Sequence, residues 1–257
     1  TCALPICVGN CVTHTVPFRR GFLDPAEIEA AIRTEAREAT STGLICLENT
    51  SNIGGGLVIP PEHMAGIADV ARRHALPVHM DGARFFNAAV ASGRPASDFT
   101  QYVDTMAFCL SKGLGAPFGG LLCGSAELVE RAIPYRQMLG GGMRQAGVMA
   151  AAGIVALERG IARLAEDHAN AKKLALGLAE LFPGCCDPDE VETNLFHIEV
   201  AKLGMGGQEL AGYLADEGIL VFPGEPRMRF ATHAMVASAD IDRVLEVFAR
   251  LPRRSAV

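Results

Sequence analysis

Two stretches decide the fold, LPVHMD (76–81) and DTMAFCLS (104–111). Each is a short apolar run that ends next to an ionisable residue, Asp81 in the first and Lys112 in the second. Apolar runs separated by helical segments are typical of βα units, which build a mostly parallel sheet flanked by helices. We therefore predict an α/β fold in which Asp81 and Lys112 follow or close neighbouring strands.

The segments on either side extend this pattern. GLICLE (43–48) predicts a strand before the pair, and GGLLCG (119–124) predicts a short, glycine-bounded strand after it. Between the first two strands, Pro61 opens a segment whose apolar residues recur at helical spacing, which predicts a crossover helix. The residues on its apolar face are Met64, Ile67 and Ala71.

The remainder of the chain predicts a smaller α/β unit. Apolar residues recur at helical spacing from 144 to 181, which indicates one long helix or two in succession. The breaker residues Pro183, Gly184 and Pro188 then mark a linker. After the linker we predict strands at 195–200, 219–222 and 228–232, a helix at 209–216, and a last helix capped by Ser238 with Val244, Leu245 and Phe248 inward.

This organisation divides the chain into a large domain at 1–162 and a small domain at 163–257 that includes the long linking helix. The large domain would bind the cofactor that is argued for below. Residues 1–12 show neither helical nor strand periodicity, and we treat them as non-native in the fold prediction.

Composition excludes several classes of function. With 29 acidic against 23 basic residues the net charge is −6, so the chain lacks the basic surface that nucleic-acid binding requires. Apolar runs are too short to cross a bilayer, which predicts no membrane partner. The eight cysteines form no CxxC pair and, like the histidines, have no metal-ligand spacing. We expect reduced thiols, no metal and a cytoplasmic location.

The chemistry of Asp81 and Lys112 points to a particular kind of cofactor. Taken singly, Asp81 could be a turn or cap residue and Lys112 a solvated surface amine. In open α/β sheets, however, ligands bind beyond the carboxyl ends of the strands, so both side chains would face one crevice. Pyridoxal 5′-phosphate needs both an amine for its aldehyde and an anion beside its ring nitrogen.

Four sequence motifs indicate a family, which the spacing of Asp81 and Lys112 does not. LENTSNIGGG (47–56), VHMDGARFFNA (78–88), CLSKGLGAPFGGLLCG (109–124) and MLGGGMRQAG (138–147) stand in this order along the chain. Together they closely resemble the low-specificity L-threonine aldolases. That resemblance implies the aspartate-aminotransferase-like fold, fold type I, of the enzymes that depend on pyridoxal phosphate.

The resemblance also implies roles for the motif residues. Lys112 would form the Schiff base with the cofactor, Asp81 would face the pyridine nitrogen, and Ser111 would contact the cofactor. Arg84 and Arg229 would bind the substrate carboxylate, with Arg84 also contacting the cofactor. Two planar guanidinium groups suit this role because each can donate two hydrogen bonds to a carboxylate.

Arg144 resembles a residue that reaches the cofactor phosphate of a neighbouring subunit. The resemblance therefore implies a homo-oligomer, either a dimer or a tetramer, that acts on a small β-hydroxy-α-amino acid. The implied reaction is the cleavage of L-threonine or L-allo-threonine to glycine and an aldehyde.

The chain departs from the family pattern at several positions. Glu38 and Ser51 stand where family members often carry histidine, and Gln137 stands at a position that is often basic. The base that acts on the β-hydroxyl is therefore not identified by the resemblance. The family's N-terminal phosphate loop and ring-stacking histidine also have no counterpart before Gly21.

Two other functions remain open. One is a different lyase of the same fold, such as a β-eliminating amino-acid lyase, because Asp81 and Lys112 would serve both reactions. The other is a catalytically incomplete, truncated homologue whose surfaces serve assembly.

Overall fold

A computed structural model describes residues 8–19, 22–34 and 40–252. The strands in this part of the chain are β1 Phe18–Arg19, β2 Phe22–Leu23, β3 Ile45–Glu48, β4 Val78–Gly82, β5 Thr105–Cys109, β6 Gly120–Cys123, β7 Leu195–Glu199 and β8 Arg227–Ala231. The helices are α1 Pro25–Ala31, α2 Pro61–Arg73, α3 Phe85–Ser92, α4 Ser97–Thr100, α5 Ala126–Met138, α6 Gly147–Val155, α7 Ile161–Leu181, α8 Gly207–Asp216 and α9 Ser238–Ala249.

The central sheet has the order β3-β4-β5-β6. Strands β3, β4 and β5 are parallel, whereas β6 runs antiparallel to β5. In this register Glu48 pairs with Asp81, and Asp81 pairs with Ala107. The predicted α/β fold with a mostly parallel sheet flanked by helices is confirmed.

The two faces of this sheet differ in burial because side chains alternate along a strand. One face packs in the core and includes Leu47, Met80 and Phe108, each less than a tenth exposed. The opposite face carries the side chains that alternate with these, including Glu48 and Asp81. The carboxylates of Glu48 and Asp81 thus lie on the face that points away from the apolar core.

Helix α2 is the predicted crossover between β3 and β4. Pro61 lies in its first turn, where proline's missing N–H is not needed, and Arg73 ends it at the negative end of the helix dipole. Met64, Ile67 and Ala71 are buried, as their spacing predicts. Burial of this face holds the helix against the sheet.

Helix α7 contributes to two apolar cores. Leu164 belongs to the core around the central sheet, whereas Leu174 and Leu178 belong to a second core beneath β7 and β8. A short π-helical segment, Ala156–Gly160, joins α6 to α7, so the predicted long helix is almost continuous. The division into domains at 162/163 stays a prediction.

Two details of the C-terminal prediction are wrong. Residues 219–222 form no strand, and Leu220 and Phe222 are more than four-fifths exposed, because this segment has no neighbouring strand to pair with. Ser238 is the first helical residue of α9 and not its cap, which is Ala237. The Asp240 carboxylate accepts the Ala237 N–H at 2.8 Å, so the first turn is stabilised by a side chain within the helix and not by a serine cap.

Within residues 8–19, 22–34 and 40–252, no helix is both long enough and apolar enough to cross a bilayer. The same residues contain no cluster of three or more His, Cys, Asp or Glu side chains arranged for a metal ion. The six cysteines in this part of the chain are free thiols: Cys11, Cys46, Cys109, Cys123, Cys185 and Cys186.

Candidate active site

Asp81 and Lys112 lie at the carboxyl end of the parallel strands of the central sheet. Asp81 is the fourth residue of β4, is exposed, and accepts the N–H of Ala83 with its Oδ1 at 2.9 Å. Lys112 is also exposed and follows the last residue of β5, Cys109, by three positions. Because β4 and β5 are parallel neighbours, Asp81 and Lys112 lie near the carboxyl ends of adjacent strands, Asp81 within β4 and Lys112 after β5.

The backbone around Lys112 forms a compact loop. The N–H of Gly115 donates to the Lys112 carbonyl at 2.9 Å, and the N–H of Ala116 donates to the Leu110 carbonyl at 3.0 Å. Gly115 has a φ of +80°, a conformation that a side chain would strain. Ser111 is exposed on this loop beside Lys112.

Arg84 lies where several charged groups converge. It immediately precedes helix α3 and is half-buried. Burial lowers the pKa of its guanidinium, and the positive charge of Arg229 lowers that pKa further, while Glu48, Cys109 and Asp81 act in the opposite direction. The positive charge of Arg229 and the negative charge of Asp81 therefore both act on Arg84.

Arg229 reaches this group from strand β8, where its side chain is exposed. Its Nη1 donates to the Asn52 side-chain oxygen at 3.0 Å. The Asn52 N–H in turn donates to Glu48 Oε2 at 2.9 Å. These contacts join the strand that carries Arg229 to the loop after β3. Arg84 and Arg229 are 145 positions apart in the sequence, from 84 to 229, yet close enough for their charges to interact.

A small cavity shows that two of the four motifs meet. It is lined by Gly82 and Arg84 of the HMDGAR motif and by Gly113 of the SKGLGAP motif, together with Asn87 and Cys109. The conformation of both motifs therefore depends on the same packing.

A larger cavity of about 350 Å³ lies elsewhere, beside Gly55, Cys185, His197, Glu199 and Arg227. None of the residues predicted to bind cofactor or substrate lines it. Size alone therefore does not identify the candidate site, and we place the site by its charged groups.

Sequence reasoning missed a buried polar cluster behind Arg84. The Asn87 side-chain N–H₂ donates to Asn194 Oδ1 at 3.2 Å and faces His168 Nε2 at 3.0 Å. The Asn194 amide donates to the Thr232 carbonyl at 2.8 Å. A polar Asn87 in the otherwise apolar FFNAAV helix was the available signal, because buried amides are retained where they have partners.

The same cluster affects the His168 side chain. Burial lowers its pKa, and the negative charge of Asp167 opposes this shift. We infer that Nε2 accepts the Asn87 N–H, because Asn87 also donates to Asn194 and both interactions use its amide nitrogen.

Arg144 lies apart from the other predicted residues. It is exposed in the turn between α5 and α6. In the described part of the chain no hydrogen bond or ion pair joins Arg144 to Asp81, Arg84 or Lys112. Its predicted role with a neighbouring subunit stays a prediction.

The positions that depart from the family pattern are partly described. Ser51 is buried, and its hydroxyl accepts the Gly54 N–H at 3.1 Å, so it serves the loop conformation. Gln137 is exposed on helix α5. Glu38 lies outside the described residues. Gly56 has a φ of +79°, and a Cβ there would lie 2.5 Å from Thr193 Oγ1, so this position needs glycine.

The chain has the fold of the aspartate-aminotransferase-like class of proteins. A threonine aldolase of Leishmania major superposes with a TM-score of 0.74 at 18% identity, covering 92% of this chain and 69% of that chain. A mutant aspartate aminotransferase of Thermus thermophilus superposes with a TM-score of 0.66 at 15% identity, covering 90% and 64%. At these identities the similarity shows the fold alone.

The sequence shows the family. A family model described as Beta-eliminating lyase matches residues 1–202, and the chain belongs to this family. The Arabidopsis thaliana protein named low-specificity L-threonine aldolase 1 is 39% identical over 233 residues, which cover 89% of this chain. The chain spans 65% of the length of that relative. The resemblance to the low-specificity L-threonine aldolases is confirmed.

Proposed function

We propose that this chain carries the cofactor and substrate residues of a pyridoxal-phosphate-dependent threonine aldolase. The reaction is the cleavage of L-threonine or L-allo-threonine between Cα and Cβ to give glycine and an aldehyde. The observation that carries the proposal is that Arg229, from a distant segment, lies close enough to Arg84, three positions after Asp81, for their charges to interact. The names of the relatives support the same reaction.

The residues present fit pyridoxal phosphate. The cofactor needs an accessible amine and an anionic partner for its ring nitrogen, and the exposed Lys112 and Asp81 lie near the carboxyl ends of adjacent strands. Ser111, beside Lys112, adds a hydroxyl. When bound, the cofactor supplies a ring that accepts the electron pair left on Cα after the bond to Cβ breaks. Asp81 would hold a proton on the ring nitrogen of the bound cofactor.

The two arginines suit the substrate carboxylate. Arg84 and Arg229 repel each other, and Arg84 is half-buried, so an anion between them would relieve an unfavourable arrangement. Each guanidinium can donate two hydrogen bonds to a carboxylate, which fixes the orientation of the amino acid. That orientation selects which bond to Cα is broken.

The site also suggests a homo-oligomer, a dimer or a tetramer, in which Arg144 reaches the phosphate bound by a neighbour. The support is the surface around Arg144, where helix α5 has no buried residue. Large apolar side chains exposed there are Tyr135, Met138, Leu139, Met143, Val148, Ile154 and Val155. Contiguous exposed apolar residues are typical of protein interfaces. Sedimentation of the chain and of Leu139→Glu tests this, and an unchanged mass would contradict it.

Product analysis separates aldol cleavage from β-elimination, which the family description keeps as the second candidate. With L-threonine, we expect glycine and acetaldehyde in equal amounts. Ammonia and an oxo acid would instead show elimination and overturn the proposal.

Covalent trapping tests the residue assignment. With pyridoxal phosphate we expect a visible absorbance band, and borohydride reduction followed by peptide mapping should place the label on Lys112. Lys112→Ala should lose the label, while the control Lys202→Ala, at an exposed lysine of the small unit, should keep it. A label on another lysine would contradict the assignment.

We also propose a cytoplasmic location, supported by the free thiols of the described residues.

A further inference from the structure

The loop that carries Lys112 is supported by the start of helix α7. Arg163 Nη2 donates to the carbonyl of Gly113, the residue after Lys112, at 3.3 Å. A Cβ on Gly113 would lie 2.7 Å from Leu164 Cδ2, which shows how closely the loop packs on the helix. A Cβ on Gly160 would lie 2.6 Å from the Leu114 carbonyl oxygen. The two residues after Lys112 are therefore in contact with a helix about fifty positions later.

Arg163 is itself held by Asp167, which is fully buried. Arg163 Nη1 and Nη2 donate to the two carboxylate oxygens of Asp167, at 2.7 and 2.6 Å. Nη2 carries a second N–H, and that one reaches Gly113. A planar guanidinium can make all three bonds at once, whereas a lysine amine is a single point that cannot reproduce this fork.

The same turns of α7 support the segments that carry the two arginines. The Asp167 carbonyl accepts the Thr232 hydroxyl at 2.6 Å, and Thr232 follows Arg229 by three positions. His168 faces Asn87, which follows Arg84 by three positions. The start of α7 is thus a common support for three site-bearing segments.

We propose that Arg163 is a positioning residue: by bridging Asp167 and the Gly113 carbonyl, it fixes the backbone that directs the Lys112 amine into the site. The inference rests on the proposed function, in which the amine of Lys112 condenses with the cofactor aldehyde and one water leaves. Arg163 does not act on the reacting atoms. It acts through the loop, whose orientation must be held within fractions of an ångström for efficient reaction.

The test compares Arg163→Lys with the unaltered chain and with Arg159→Lys. Arg159 is exposed on the preceding π-helical segment and provides the same chemical change without the bridge. We expect the rate of pyridoxal phosphate attachment at Lys112, followed by absorbance and mapped after borohydride, to fall about tenfold or more in Arg163→Lys. Arg159→Lys should attach cofactor at the unaltered rate.

Hydrogen exchange provides a readout that needs no cofactor. The amides of Gly115 and Ala116 bond within the loop, so both should exchange faster in Arg163→Lys, while amides of β7 should not change. Unaltered exchange and attachment in Arg163→Lys would overturn the inference. If the unaltered chain attaches cofactor elsewhere or not at all, the proposed function fails, and the exchange result still decides whether Arg163 fixes the loop.

A second variant guards against simple destabilisation. Arg163→Gln combined with Asp167→Asn removes both charges together, which avoids leaving a buried carboxylate unpaired. We expect it to fold and still to attach cofactor slowly, because glutamine cannot make all three bonds. Attachment at the unaltered rate in this folded variant would overturn the inference.

Discussion

The start of helix α7 packs against the loop that carries Lys112, and the segment from α5 to α6 contains Arg144. The two regions differ greatly in burial. Leu164 and Asp167 on α7 are fully buried. Leu139 and Met143 are more than half exposed, and α5 buries no residue. The position of Lys112 is therefore set by the chain's own core, whereas the position of Arg144 is not.

The largest expected effect tests this contrast directly. Leu164→Ala should lower the free energy of unfolding by about 3 kcal/mol, because it removes a fully buried side chain and leaves a cavity. Leu139→Ala, at an exposed leucine, should change it by less than about 0.5 kcal/mol. Urea unfolding monitored by circular dichroism measures both. Equal losses would remove the distinction between the two regions.

A smaller loss of stability is expected from substitution of a glycine at the start of this region, compared with a control glycine on α6. Gly160→Ala should cost about 2 kcal/mol, because the new methyl group would lie 2.6 Å from the Leu114 carbonyl oxygen. Gly147→Ala, where no atom lies within 4 Å of the added Cβ, should be neutral or slightly stabilising. Thermal unfolding of the two variants compares them. A stable Gly160→Ala would show that the Lys112 loop is not tightly packed on this helix.

The buried region should also respond to pH. Burial lowers the pKa of His168 below its ordinary 6.5, so on acidification the unfolded chain binds a proton that the folded chain resists. The stability due to this group is therefore present above pH 6.5 and decreases as the pH falls below it. Between pH 7.5 and pH 5.5, the free energy of unfolding should decrease less in His168→Gln than in the unaltered chain. Titration of His168 by NMR at or above 6.5 would contradict the assignment.

The smallest effect on stability belongs to the exposed segment. Arg144→Ala should change the free energy of unfolding by less than about 0.5 kcal/mol, since the side chain is exposed. If Arg144 reaches a neighbour's phosphate, the variant should nevertheless bind pyridoxal phosphate more weakly, which equilibrium dialysis measures. Unchanged affinity would leave the residue without a role in cofactor binding.

Much of the fold could be predicted because apolar periodicity reflects local burial. The strands β3, β4 and β5 and the helix after Pro61 follow from their patterns within one or two residues at most ends. The prediction of a strand at 219–222 was wrong because an apolar run forms a strand only where a partner strand is available, and local periodicity does not report the partner. Ser238 is not the cap because the helix begins at Ser238 itself, one residue earlier than a serine cap requires.

The candidate site could be predicted in part. Asp81 and Lys112 were visible because both follow strand patterns, and motif resemblance supplied Arg84, Arg229, Ser111 and Arg144. The contact of Arg163 with Gly113 and the partner of Asn87 could not be predicted, because these residues lie 50 and 107 positions apart along the chain.

By itself, the sequence determined the alternation of strands and helices, the absence of a basic surface and the pair of ionisable residues after neighbouring strands. The tertiary structure alone decided that Arg229 lies close enough to Arg84 for their charges to interact and that helix α7 supports the loop of Lys112. Local periodicity reports which face of an element is buried, but contacts between distant segments depend on how the elements pack together.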